Sequence, residues 1–319
     1  MAVLELLWRG VAIIHASAAG RRPAEKLAEE LGKAGVVAHI FQFSQLDAIW
    51  GCYDAYVFIM ALGGVVRGIC NKITHKETDP PVLVVTHDLK YIIPILGLHR
   101  GANELAGELA ALIRANAVVT TVAEKMGLTP VEVVTRLLLC KLEQSAVLEV
   151  YKALIEGKRV CVEGLPPGVV GYADSPPCDI VIKRGYCEGR FCCRPLRLFV
   201  GFGSKTGVSP QEIAEAVRAL LNVIRAERVE AVASIRPEVY QVAELLGARP
   251  LLFKPDELSD EKCLSPPNQI ALKRLGIGNV AEAAALKAAG PGGELLVRKR
   301  AFGGKITVAI AAASPYSAL

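Results

Sequence analysis

Aromatic side chains are scarce. Eight Tyr, eight Phe and two Trp make up 6% of the 319 residues, so the cores must be built from Ala, Val, Leu and Ile. That is the composition of α/β proteins, whose buried parallel strands read as aliphatic runs. Asn and Gln are scarcer still, at six each, as in proteins from thermophiles. Long apolar runs are missing. The longest, Ala55 to Val66, has 12 residues with Gly63-Gly64 inside it, where a membrane-spanning helix needs about 20. The first twenty residues lack a basic start, and Glu5 and Arg9 interrupt their apolar stretch. They therefore read as a β-strand region of a cytoplasmic chain rather than a secretory signal.

A strong charge of one sign is also absent. Against 37 Lys and Arg stand 32 Asp and Glu, a net +5. Residues 1–130 are balanced at 12 and 12, residues 131–195 hold 9 and 8, and residues 196–319 hold 16 and 12. A nucleic-acid binder would show denser basic stripes interleaved with aromatics, so neither nucleic acid nor membrane is expected as a partner. The surplus in the last third, with Lys205, Arg298 and Lys305, suits a small polyanion, and we expect these three to hold ligand carboxylates.

Signature motifs are missing too. There is no Gly-x-Gly-x-x-Gly, no Lys-containing phosphate loop and no Gly-x-Ser-x-Gly elbow, which removes the usual nucleotide and serine-hydrolase fingerprints. The 9 cysteines are odd in number. Cys52, Cys70, Cys140 and Cys161 lie in apolar segments and read as small buried hydrophobes of a reducing compartment. Cys178, Cys187, Cys192 and Cys193 lack the paired short spacing of a four-cysteine zinc site. A local disulfide among them stays open, and no protein-bound metal is expected.

What is present is alternation. Apolar runs at Val11–Ile14, Val36–Phe41, Ala55–Met60, Val82–Val85 and Ala117–Thr121 alternate with helical patterns, and Tyr91–Ile93 fits a strand pairing beside the fourth run across a tight turn. A doubly wound α/β domain is predicted over 1–128. Residues 130–158 read as wholly helical. Gly164 to Pro177, with four prolines and three glycines, reads as a linker. A small middle domain over 129–195 and a second α/β domain over 196–319 follow, with a cleft expected between the first and third. Gly201-Phe202-Gly203 reads as a turn after a strand, and Ser209-Pro210-Gln211-Glu212 as a helix start with a capping box.

All five histidines, His15, His39, His75, His87 and His99, fall in the first 99 residues. Histidine suits proton transfer near neutral pH. His87 follows a buried strand and His99 precedes a helix, and in open α/β sheets ligands gather at the carboxyl ends of strands. Three glycine junctions, at Gly63-Gly64, Gly101-Ala102 and Gly201 with Gly203, read as helix starts offering amides to an anion.

These residues carry a resemblance. Gly63-Gly64-Val65-Val66-Arg67, Asp79-Pro80, Ile93-Pro94-Ile95-Leu96, His99 and Gly101-Ala102-Asn103-Glu104-Leu105-Ala106 resemble the amino-terminal domain of the cobalamin-biosynthesis CbiG family. Val200-Gly201-Phe202-Gly203, Val280–Ala285, Leu295–Lys299 and Thr307–Ala311 look like its carboxyl-terminal domain. Thr86-His87 and Leu89 stand where the family usually has an acidic pair and a glycine. The resemblance implies cobalt-precorrin-5A hydrolase activity in anaerobic cobalamin synthesis. Water opens the ring A δ-lactone, and C20 leaves with its methyl as acetaldehyde. It further implies a cobalt-precorrin tetrapyrrole as substrate, cobalt belonging to that substrate, no cofactor, and transient contact with other enzymes of the pathway. A non-catalytic tetrapyrrole carrier is the alternative. We expect His99 or Glu104 to activate water and Asn103 or the amides after Gly101 to bind the lactone oxygen. Gly63, Gly64, Arg67, Asp79, Gly101, Ala102, Gly201, Gly203, Lys205, Arg298 and Lys305 are expected to contact substrate.

Overall fold

A computed structural model describes residues 3–75, 79–120 and 128–315. Contacts group the chain into two units, Met1–Val133 with Pro167–Gly171, and Val134–Pro166 with Tyr172–Leu319.

The first unit carries β1 (Val11–His15), α1 (Ala18–Lys33), β2 (Ala38–Gln42), α2 (Leu46–Ile49) and β3 (Ala55–Ile59). It continues with α3 (Leu62–Ile69), β4 (Val82–Val85), β5 (Tyr91–Leu96), α4 (Ala102–Ile113) and β6 (Asn116–Ala117). Its sheet runs β2-β1-β3-β4-β5-β6. β2, β1, β3 and β4 are parallel, whereas β5 returns antiparallel to β4. β1, β3 and β4 are wholly buried, and such strands need cover on both faces. On one face Leu27 and Leu31 of α1 and Leu105 and Leu109 of α4 pack on Val11, Ile13, Val57 and Leu83. On the other, Val65 and Ile69 of α3 pack with Tyr53, Tyr56 and Phe58 on Ile14 and Val84. The β4–β5 connection is short because Leu89 takes a left-handed backbone, φ 57°. The strand expected over Ala117–Thr121 is shorter and begins earlier, at Asn116–Ala117, with Val118 N still bonding Ile92 O; Thr121 lies outside the described residues.

Residues 130–158 are not one helical block. They form α5 (Val131–Leu137), β7 (Cys140–Lys141) and α6 (Gln144–Ile155), with Leu139 at φ 49° breaking the helix. β8 (Val160–Val162), β9 (Ile180–Arg184) and β10 (Cys192–Pro195) complete a four-stranded sheet, β7-β10-β9-β8. Three disulfides close this region: Cys140–Cys193, Cys161–Cys178 and Cys187–Cys192. Cys140 and Cys161 are thus bridged rather than free buried thiols, Cys52 too is disulfide-bonded, and Cys70 is free and exposed.

The second sheet of this unit runs β13-β12-β11-β15-β14. Its strands are β11 (Arg197–Ser204), β12 (Ala231–Ser234), β13 (Arg249–Leu252), β14 (Glu294–Phe302) and β15 (Ile306–Ala313). Its helices are α7 (Pro210–Val223), α8 (Val239–Leu246), α9 (Gln269–Leu275) and α10 (Val280–Ala289). The predicted cap holds: Ser209 Oγ accepts from Glu212 N, and the Glu212 carboxylate accepts from Ser209 N at 3.0 Å. No helix among the described residues is long and apolar enough to cross a membrane.

Candidate functional site

The register of the six-stranded sheet decides which loops meet. His15 pairs with Ile59 between β1 and β3, and Phe58 pairs with Val84 between β3 and β4. The segments that leave these strands, Ala16-Ser17, Met60-Ala61 and Thr86–Lys90, therefore emerge side by side at the carboxyl edge. α3 begins there, two residues after β3. The first amides of a helix have no acceptor inside it and point outward with the positive end of the dipole. Gly64 N and Val65 N bond to Ala61 O, so Leu62 and Gly63 supply the outward amides.

Gly20, on α1, shows how tightly this corner is drawn. A Cβ there would lie 3.0 Å from both His15 Cβ and Ile59 O, and 3.7 Å from His87 Nε2. The missing Cβ lets α1 sit close against this edge, beside both histidines. His15 is buried, and its Nδ1 lies 3.0 Å from Ser17 O. A carbonyl only accepts, so Nδ1 carries the proton and neutral His15 has its lone pair on Nε2. His87 is exposed. Beside it Asp88 accepts from Thr86 Oγ1 at 2.6 Å and from Lys90 N at 3.1 Å. The Thr86 hydroxyl, then the Lys90 amide and ammonium, hold the Asp88 carboxyl down at about 2. It is a permanent carboxylate at neutral pH. His15 and Gly20 stand out in the sequence only as a histidine ending the first apolar run and a glycine early in the next helix.

The other predicted loop leaves at the opposite edge. Because β5 is antiparallel, its end at Leu96 pairs with Val82, the start of β4. Gly97 sits on Pro80 and Pro81, where a Cβ would come within 2.7 Å of their backbone. Asp79 is buried there and accepts from Thr74 N at 3.0 Å and Thr74 Oγ1 at 2.9 Å. Gly101, at φ 83°, opens α4. Ala102 N bonds Gly97 O, Asn103 is buried and Glu104 is exposed in the first turn. His99 has its backbone in the 3-10 turn Leu98–Arg100, and its side chain lies outside the described residues. The structure thus groups Gly63, Gly64 and Arg67 at the carboxyl edge, and Asp79, Gly101, Ala102, Asn103 and Glu104 at the amino edge. Arg67 is exposed and donates to Gly63 O at 3.2 Å.

In the second unit the glycine junction is not a helix start. Gly201 and Gly203 lie inside β11. Their lack of a Cβ is needed for packing, since at Gly201 it would strike Ala281 O at 2.0 Å and Ala285 N at 2.5 Å. Arg298 is fully enclosed, not presented to solvent. Its guanidinium lies 3.7 Å from the equally buried Glu282 and donates to Cys263 O at 3.2 Å. Lys205 and Lys305 remain exposed and adjacent, Lys205 N bonding Lys305 O at 2.9 Å. Nearby on β14, burial pushes the Lys299 ammonium down from its usual value.

The arrangement at the carboxyl edge of the first sheet offers an exposed imidazole, a second imidazole of fixed tautomer and outward amides. It is suited to proton abstraction and oxyanion binding. Residues 44–124 match the family model described as cobalamin synthesis G N-terminal, and residues 198–311 the one described as cobalamin synthesis G C-terminus. A Priestia megaterium protein named "Cobalt-precorrin-5A hydrolase" is 25% identical over 303 residues, covering 83% of this chain and 80% of its own. A Methanocaldococcus jannaschii protein named "Probable cobalt-precorrin-5A hydrolase" is 25% identical over 251 residues, covering 73% and 76%. A solved structure titled "Crystal structure of a putative cobalamin biosynthesis protein G homolog from Sulfolobus solfataricus" shares 29% identity and a TM-score of 0.82, covering 98% of this chain and 99% of that one. With matches to both family models, in order, and a shared fold along nearly its whole length, the chain belongs to the cobalamin synthesis G family.

Proposed function

We propose that this protein hydrolyses the ring A δ-lactone of cobalt-precorrin-5A, and that the reaction takes place at the carboxyl edge of the six-stranded sheet. The observation that carries the location is the convergence of His87, His15, Gly20 and the start of α3 on one corner. The names of the relatives support the substrate and the reaction.

In this reading His87 takes a proton from water as it adds to the lactone carbonyl. General-base help of this kind is worth about 10²–10⁴ in rate. The amides of Leu62 and Gly63 receive the developing oxyanion. The acyl–oxygen bond breaks and leaves a carboxylate on the ring A side chain. The oxygen released on C20 becomes the carbonyl oxygen of acetaldehyde as the bond from C20 to the macrocycle breaks, its electron pair returning to the ring. His15, held by Ser17, lines the same corner. Cobalt enters as part of the substrate, and no further cofactor is proposed.

Buried Asn103 in the first turn of α4 favours a second reading. There the loop from His99 to Glu104 activates water, and Asn103 or the amides after Gly101 hold the lactone oxygen. A third, a tetrapyrrole carrier without chemistry, is separated by a direct assay. The purified chain with cobalt-precorrin-5A should release one acetaldehyde per tetrapyrrole, trapped as its hydrazone. Binding of the tetrapyrrole with no acetaldehyde would leave the carrier.

A further inference from the structure

Helix α9 is anomalous within its unit. It has seven residues, and none of them is buried. Ile270 is 66% exposed, Leu275 43% and Leu272 39%. A helix this short has little stability of its own and is normally held by packing an apolar face. Here the ends hold it instead. Asn268 Oδ1 accepts from Ile270 N at 3.0 Å and Ala271 N at 3.1 Å, and Gly276, at φ 72°, closes the other end. The Asn268 N–Gly278 O bond of 2.8 Å pinches the base of the excursion, and Gly278 lies so close to Pro267 that a Cβ would overlap it.

That base is fixed firmly to one edge of the five-stranded sheet. Ser265 donates its N and Oγ to the Glu282 carboxylate at 2.6 and 2.7 Å, and Glu282 also accepts from Lys299 N at 2.9 Å. On the other side Val280, the first residue of α10, packs on Gly203 at the end of β11, one residue before Ser204 and two before Lys205. An unburied helix therefore stands on a rigid base at the same strand end as Lys205 and Lys305. At about 100° per residue, Leu272 and Leu275 lie about 60° apart as one stripe of α9, with Lys273 about 100° round from Leu272 on one flank and Arg274 about 100° round from Leu275 on the other. Apolar and cationic surfaces lie within one turn of each other.

We propose that α9 and its flanking turns, Asn268–Gly278, are a tetrapyrrole-binding flap. Leu272 and Leu275 lie against the face of the macrocycle, and Lys273 and Arg274 meet carboxylates at its rim. This rests on the reading of the substrate as a cobalt-precorrin and adds which residues of the second unit take it. The charge pattern selects this occupant. A flat, largely apolar ring carrying acetate and propionate side chains matches a leucine stripe bordered by cations, whereas a purely apolar partner would leave the cations desolvated without anions.

The test uses the full-length protein and cobalt-precorrin-5A. Amide hydrogen exchange over residues 268–278 should slow when the tetrapyrrole is added, a measurement that needs no variant. In absorption titrations of the tetrapyrrole, Leu272→Ser with Leu275→Ser should weaken binding about tenfold, from the apolar area no longer covered. Lys273→Ala with Arg274→Ala should weaken it about threefold at low salt and less at high salt. Both pairs are on the surface, and unchanged thermal melting of the free protein checks that they fold. If the parent binds, exchange in 268–278 is unchanged and both variants bind within twofold of it, the flap is wrong and the hydrolase reading stands. If the parent does not bind the tetrapyrrole at all, both fall.

Discussion

Glu282 and Arg298 form the most enclosed ion pair among the described residues, both at 0% exposure. The carboxylate also accepts from Ser265 N, Ser265 Oγ, Asn279 Nδ2 and Lys299 N. A buried pair of this kind gives little net stability, yet removing one partner strands the other charge. Arg298→Met should therefore destabilise the fold by about 3–5 kcal/mol, and Glu282→Gln added to it should recover part of that loss; urea unfolding measures both. In the sequence, Arg298-Lys299-Arg300 looks like a solvated basic run. Its burial was not legible because Ser265 and Glu282, which enclose it, are distant in the chain. Arg197 and Glu230 make the opposite case, a half-exposed bidentate pair at 2.6 and 2.5 Å. Arg197 holds the Glu230 carboxyl below its ordinary 4.5. A depressed carboxylate adds stability above its unfolded pKa and loses it as pH falls through the folded one. Arg197→Gln should then cost about 1 kcal/mol at neutral pH, a difference that fades below pH 4.5. A cost that stays constant down through the acid range would contradict this.

At the scale of elements, two readings turned on strand direction and helix approach. The alternation of aliphatic runs and helical patterns was legible, and so were β1, β3, β4, α4, α7 and α10. The edge on which each loop emerges was not. The Thr86–Lys90 turn makes β5 a hairpin partner of β4, and this single reversal carries the segment from Gly97 to Glu104 to the amino edge. The family's usual glycine near this turn is replaced by Leu89, which still adopts the left-handed backbone. Gly201 and Gly203 looked like a turn because Gly-x-Gly so often is one. Their partners are the small residues of α10: Ala281 and Ala285 let the helix backbone reach β11, and a glycine on the strand completes the approach. Gly201→Ala should therefore destabilise the protein by about 3 kcal/mol or more, through overpacking against backbone that has no rotamer to change. A thermal melt within a degree or two of the parent would mean that α10 can shift, and that the close approach is dispensable.

For the whole molecule, the largest departure from expectation concerns cysteine. Composition favoured free buried thiols, yet three disulfides close the region around the four-stranded sheet, spanning 53, 17 and 5 residues of chain. That sheet is small: β7 has two residues and β8 three. A core so thin needs covalent closure, and the scarcity of Asn and Gln was the one feature of composition that pointed toward disulfides. In the chain-entropy model the 53-residue Cys140–Cys193 closure is worth about 4 kcal/mol, so Cys140→Ala with Cys193→Ala should lower the melting temperature markedly. Removing Cys187–Cys192 in the same way should lower it less.

The hydrolytic site proposed at the carboxyl edge of the first sheet carries the rest. Single-turnover release of acetaldehyde from cobalt-precorrin-5A tests it most directly, comparing the parent with His87→Gln, Asn103→Ala and Glu104→Gln, each checked for folding. His87→Gln should lose about 10² or more, and the other two less than tenfold. Full activity in His87→Gln, with a large loss in Asn103→Ala or Glu104→Gln, would contradict it and move the chemistry to the opposite edge.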